Sequence, residues 1–225
     1  MFMKNNRILL KILSAAILLC VILFAFASCG DDEAQDNADN NGSGENGGSS
    51  GSADPEPKSF LKKAETGDRN NYGGSVGYEI SVLADMQVTA VGRPVSGEMN
   101  QAHTIYIWEV SSQNLLASAE VTPDSPIDSL GFKTAQLSSP VILKAGEFYR
   151  IVSAEFVDGD MWYDVGTAAD DPIPDLQPND EAMITTPVFT GEGADEQGSY
   201  PANEWNPGGI RGYVGVTFYY VPVTE

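Results

Sequence analysis

Two groups of residues in the C-terminal part of the chain have the types and spacing to bind something. The first is acidic. Residues 151–210 hold thirteen Asp or Glu and no Lys or Arg. Asp158, Asp160, Asp164, Asp170 and Asp171 lie close together in that stretch. Carboxylates at such spacing can supply several of the roughly six to eight oxygen ligands that Ca²⁺ takes, which makes calcium the candidate cation. The Asp158-Gly159-Asp160 triplet lacks the remainder of an EF-hand loop, and a solvated acidic surface would give the same composition. The second group is aromatic. Trp162, Tyr163, Tyr200, Trp205 and Tyr213 fall in or near loop-like sequence, and Trp205 is embedded in the polar run Asn203-Glu204-Trp205-Asn206-Pro207. Exposed rings stack on the apolar C–H faces of sugars while polar neighbours take the hydroxyls. Rings of these types also commonly cap a core. Trp162, Tyr163, Tyr200 and Trp205 form the candidate ligand-binding set.

Little else in the chain suggests catalysis. The single histidine, His103, opens a strand-like run and reads as an ordinary surface or strand-edge residue. No Gly-x-Ser-x-Gly elbow leads into a helix, and no paired histidines or glycine-rich phosphate loop appear. The two cysteines, Cys20 and Cys29, both precede the region able to fold, so that region has no thiol nucleophile, zinc–thiolate site or disulfide. A glycosidase needs only two carboxylates, but acids are too plentiful here to single out a pair. The expectation is a protein that is not an enzyme.

Residues 1–28 carry Lys4, Arg7 and Lys11, then an uncharged apolar run from Ile12 to Phe26, then the small pair Ala27-Ser28. This is the order of an export signal, and the apolar run is short for a membrane span of about 20 residues. Without this segment the chain keeps nine basic and 32 acidic residues against a whole-chain net charge of −20. Such a field repels nucleic acid and anionic surfaces. Gly30 to Pro57 has eight acids, no Lys or Arg, and no aromatic or branched aliphatic side chain. It cannot bury apolar surface, so residues 29–57 read as a disordered acidic tether.

Residues 58–225 are enough for one domain with a core. Val76, Tyr78, Ile80 and Val82 alternate with Ser75, Gly77, Glu79 and Ser81, the pattern of a half-buried strand. A second strand starts at Met86. His103 to Val110 is apolar on both faces, which predicts a central strand with Trp108 in the core, and Leu115 to Val121 returns as its hairpin partner. Phe132 to Leu137 and Val141 to Leu143 are short strands broken at Ser139-Pro140. Glu147 to Phe156 is a long strand, and Asp158-Gly159 predicts a hairpin to Met161–Val165. Met183 to Phe189 forms one more strand, and Gly212 to Val221 closes the chain. No amphipathic helix is apparent. The expectation is an all-β fold, a single antiparallel β-sandwich closed in a jelly-roll-like way.

Two resemblances rest on these residues. Phe26-Ala27-Ser28-Cys29-Gly30 resembles the lipobox of bacterial lipoproteins, departing from it at Phe26. The resemblance implies a diacylglyceryl group on Cys29, which becomes the first mature residue. It also implies a place in the bacterial cell envelope, outside the cytoplasm and anchored to a membrane. The run from Val76 to Phe156, with Tyr106-Ile107-Trp108, Ser139-Pro140-Val141 and Leu143-Lys144-Ala145-Gly146, is similar to β-sandwich modules of bacterial surface proteins classed as domains of unknown function. It is also similar to the lectin-like domain attached to some bacterial cysteine proteases. That likeness implies an accessory binding or adhesion role, glycan being the most plausible ligand. The rival expectations are a scaffold that meets another envelope protein, and a glycan hydrolase.

Overall fold

The computed structural model describes residues 55–164, 176–205 and 211–223. Cys29, the expected anchor, nearly all of the expected tether, Asp170 and Asp171 lie outside the described residues.

The period-2 stretches form ten strands: β1 (Lys58–Ser59), β2 (Gly74–Val82), β3 (Met86–Pro94), β4 (His103–Glu109), β5 (Leu115–Val121), β6 (Phe132–Leu143), β7 (Phe148–Glu155), β8 (Ala182–Phe189), β9 (Asn203–Glu204) and β10 (Thr217–Pro222). They make two antiparallel sheets packed as a sandwich. One has the order β1-β10-β3-β6 and the other β5-β4-β7-β2-β8-β9. Among the described residues the only helical element is a single 3₁₀ turn at Ala194–Glu196.

The core lies where the inner faces meet. Val76, Tyr78, Ile80 and Val82 of β2 are all buried, as their alternation predicts. Phe60, ahead of the first long strand, stacks on Phe218 of β10 at 4.7 Å. Val214, Val216, Phe218 and Tyr220 are fully buried, but the final strand starts only at Thr217. Val214 and Gly215 both take positive φ, 62° and 66°, and turn the chain before it pairs with β3. The predicted break at Ser139-Pro140 is a bulge inside one strand: Val88 faces Val141 and Ala90 faces Gln136, so four residues of β6 lie opposite Thr89.

Trp108 is buried, as expected, on the outer face of the six-stranded sheet. Ile105 and Ile107 take the inner face of β4, so strand alternation sends Tyr106 and Trp108 to the outer face. There Trp108, Val152 and Val188 form a second apolar cluster, with Tyr106 and Tyr200 packed on it. The long segment after β8 folds back across this face and covers it. Arg150 holds it down: its Nε and Nη2 donate to Glu79 Oε2 at 3.0 and 2.9 Å, and it also bonds Glu204 and the Pro201 carbonyl. The guanidinium lies 5.1 Å from the Tyr200 ring. The Asp158-Gly159 turn forms, but the described part of the predicted return strand, residues 161–164, does not pair with β7; Val165 lies outside the described residues. Trp162 bridges Arg69 and Tyr163 bridges Val214 instead.

His103 is not a surface residue; it is fully buried. It belongs to a chain of charges that crosses the sandwich. Arg93, on β3 of the four-stranded sheet, bonds Glu155 of β7 in the other sheet through two contacts, Nε to Oε1 at 3.1 Å and Nη2 to Oε2 at 2.9 Å. Ser153 Oγ donates to Glu155 Oε1 at 2.7 Å. His103 Nδ1 lies 2.7 Å from the Ala154 carbonyl and 3.2 Å from Glu155 Oε2. Its Nε2 lies 3.0 Å from Asp160 Oδ2. A carbonyl and a carboxylate only accept, so both ring nitrogens can donate when the ring is an imidazolium, the form that its raised pKa favours. Asp160 also accepts the backbone N–H of Asn100 and Gln101 at 2.8 and 3.1 Å. Two cations alternate with two anions, and the buried group is neutral as a whole.

Burial by itself would lower the His103 pKa, but the hydrogen bond and charge of Glu155 outweigh it and hold the value above normal. Burial would raise Glu155, and the charges and hydrogen bonds of Arg93 and His103 together more than reverse this. Asp160 is lowered in the same way, its burial outweighed by the Asn100 amide and His103.

Two outcomes follow from this chain of charges. Breaking a buried pair by removing one partner costs about 3–5 kcal/mol, whereas replacing both partners with apolar groups is often neutral. Arg93→Met alone is therefore expected to lower urea-unfolding stability by about that amount, and Arg93→Met with Glu155→Leu to recover most of it; an unchanged midpoint in the single variant would contradict the account. The second outcome concerns pH. The raised His103 gives stability that is complete below its unfolded value of 6.5 and is lost as pH rises through its folded value. The lowered Glu155 and Asp160 give stability that is complete above 4.5 and 3.8 and is lost as pH falls through their folded values. Melting temperature against pH should therefore peak between the carboxylate and histidine ranges, and His103→Gln should flatten the alkaline limb.

Candidate aromatic cleft

Beside the turn that Asp160 anchors, the second aromatic group comes together around Tyr213. The Gly77 carbonyl accepts the Tyr213 N–H at 3.0 Å, which fixes this residue across the end of β2. Four groups surround the Tyr213 ring. Trp162 meets it edge-on at 6.0 Å and Phe189 edge-on at 6.2 Å. Trp205 lies nearly parallel to it, 16° apart, at 6.4 Å. The Arg69 guanidinium sits 6.0 Å from its centroid and 4.9 Å from that of Trp162, in the range of cation–π attraction. Arg69 is held in place by Asp164 Oδ2 at 2.9 Å and Asn71 Oδ1 at 2.9 Å.

These rings wall a cavity of about 210 Å³, lined by Arg69, Tyr72, Trp162, Phe189, Glu192 and Tyr213 with Val76 as a further apolar wall. Tyr72 is pinned by its hydroxyl, which donates to the Thr190 carbonyl. Burial, and then the neighbouring Asp164 charge, push the Tyr213 phenol up to about 12, so it stays neutral at physiological pH. Trp162 is 1 % exposed, yet its Nε1–H has no acceptor among the described residues. A buried donor left without a partner costs about 1–3 kcal/mol, so this one marks a place where an acceptor is missing.

The predicted binding residues divide. Trp162 lines the cavity, and Trp205 stacks on its central tyrosine while remaining partly exposed. Tyr163 does not take part: it is 1 % exposed and packed in the main core. Tyr200 is also elsewhere, edge-on to Trp108 at 5.9 Å on the outer face of the six-stranded sheet. The predicted calcium ligands are dispersed in role. Asp160 is spent on His103 and two backbone amides, Asp164 is paired with Arg69, and Asp158 is an exposed turn residue with φ 57°. Among the described residues no group of three or more His, Cys, Asp or Glu is arranged to hold a metal ion.

Sequence reasoning missed Arg69, Tyr72, Phe189 and Glu192 as site residues. Arg69 and Tyr72 lie in a turn-rich stretch without periodicity, and Phe189 ends a strand. No local signal pairs them with Trp162. The fold and the cleft define a two-sheet antiparallel sandwich with an aromatic-walled cavity at one end. No protein-family model matches the chain and no curated protein matches it.

Proposed function

We propose that this is a lipid-anchored binding module of a bacterial cell envelope, in which Cys29 and the acidic tether hold a sandwich that recognises glycan through the cleft beside Tyr213. The observation that carries the reading is the cleft itself: four rings around a small cavity, with Arg69 and Glu192 among its lining residues. Apolar walls with a few polar groups are the general make-up of small-ligand sites, and flat rings beside hydrogen-bonding groups suit sugar faces and hydroxyls. The order of basic residues, apolar run, small pair and cysteine supports the anchor, and the acyl chains expected on Cys29 suit stable membrane attachment. The reading assigns no catalytic step to the site and no metal to the acidic residues.

A second reading, docking of another envelope protein, is favoured by a separate feature. Phe148 and Met183 are exposed at 41 % and 53 %, and both lie in register with Ser81, on either side of it across β7-β2-β8.

Membrane and soluble fractions of cells making the full chain test the anchor. Wild type is expected with the membranes and labelled by palmitate, and Cys29→Ser unlabelled; equal labelling of both would sink the lipoprotein reading. Retention of the full chain on a broad panel of immobilised polysaccharides, in calcium and in chelator, tests the ligand. Retention on one glycan class is expected, at least tenfold weaker for Trp205→Ala at unchanged melting temperature. No retention under either condition moves the assignment to the protein-docking reading.

A further inference from the structure

We infer that the cleft takes one uncharged sugar ring at the end of a glycan chain, and excludes both acidic sugars and internal chain segments. This rests on the glycan reading above and narrows it. Three observations carry it.

The first is size. At roughly 30 Å³ per water in the liquid, about 210 Å³ equals about seven waters. Pockets for larger ligands run from about 300 to 1,000 Å³. The space holds a single ring, and an internal residue would need room for the neighbours on both sides.

The second is charge. Arg69 is the only cation among the described lining residues, and its charge is already engaged. Its Nη1 bonds Asp164, its Nε bonds Asn71, and its plane lies against Trp162 and Tyr213. Glu192, also a lining residue, is exposed, and its charge contributes to holding the Tyr72 phenol above its ordinary value, after the larger effect of burial. A sugar carboxylate would bring a negative charge to Glu192 with no unengaged cation to meet it, in a chain of net charge −20.

The third is the wall. The rings of Tyr72, Trp162, Phe189 and Tyr213 suit the C–H faces of one sugar ring, and Glu192, which can only accept when ionised, suits a donating hydroxyl.

The test is titration calorimetry on the full chain. The probes are methyl glycosides of neutral hexoses, the matching hexuronic acids, and linear neutral oligosaccharides of increasing length. The expected result is binding of a neutral methyl glycoside, oligosaccharide affinity per molecule within about twofold of it at every length, and the matching uronic acid at least tenfold weaker. Glu192→Gln, an exposed position whose change leaves the fold intact, should narrow the gap between neutral and acidic sugars. Affinity that climbs with each added sugar, or uronic acids binding as tightly as neutral ones, would overturn this inference and leave the glycan reading standing. Absence of binding by every sugar would overturn both.

Discussion

Arg93, Glu155, His103 and Asp160 form an alternating row of charges in the interior, and each member tolerates burial only because the next one is in place. Arg93 comes from one sheet, Glu155 and His103 from adjacent strands of the other, and Asp160 from the turn beyond them. Buried ion pairs give little net stability, because desolvation offsets attraction. Their effect here is on geometry. A one-residue slip of β4 or β7 would move His103 or Glu155 to the opposite face of its strand and leave a charge alone in the core. The row therefore fixes the register of β4 against β7 and the alignment of the two layers. Through Asp160 it also fixes the turn that leads into Trp162.

The same economy recurs at two other arginines. Arg150 ties the outer face of the six-stranded sheet to the segment that covers it, standing directly opposite both Glu79 and Trp108 in the strand register. Arg69 ties the loop before β2 to the strand-like run at Trp162, by backbone bonds in both directions and by its pairing with Asp164. A chain with few cations places three of them, each with a carboxylate partner, at the junctions between layers and loops. Most of the acids are left on the surface.

The aromatic cleft depends on these junctions. Its walls come from the loop before β2, the turn after β7, the end of β8 and the run before β10. The rings meet because the positive-φ pair at Val214 and Gly215 redirects the chain and sets Tyr213 between Trp162 and Trp205. The binding surface is thus made by long-range packing at the end of the sandwich, where loops carry side chains on a rigid support. Sandwich architecture alone implies no particular function; the case for a ligand rests on the rings that line the cavity.

Much was legible in the chain itself. The order of charges, apolar residues and Cys29 gives the expectation of an export signal and a lipid anchor, in residues outside those the structure describes. Composition separated the tether from a region able to fold, and period-2 alternation located most of the strands, because inward and outward side chains alternate along any half-buried strand. Local pattern marked Trp108 as buried, as it is, but could not say which face of β4 would be covered by a segment some ninety positions later. It could not show that His103 would be caged by carboxylates from two other segments, nor that Trp162 would join Arg69, Tyr72 and Phe189 while Tyr163, its immediate neighbour, turned into the core. Those outcomes belong to tertiary structure, because a buried charge or an unpaired donor is defined by neighbours that only folding brings within a few ångströms.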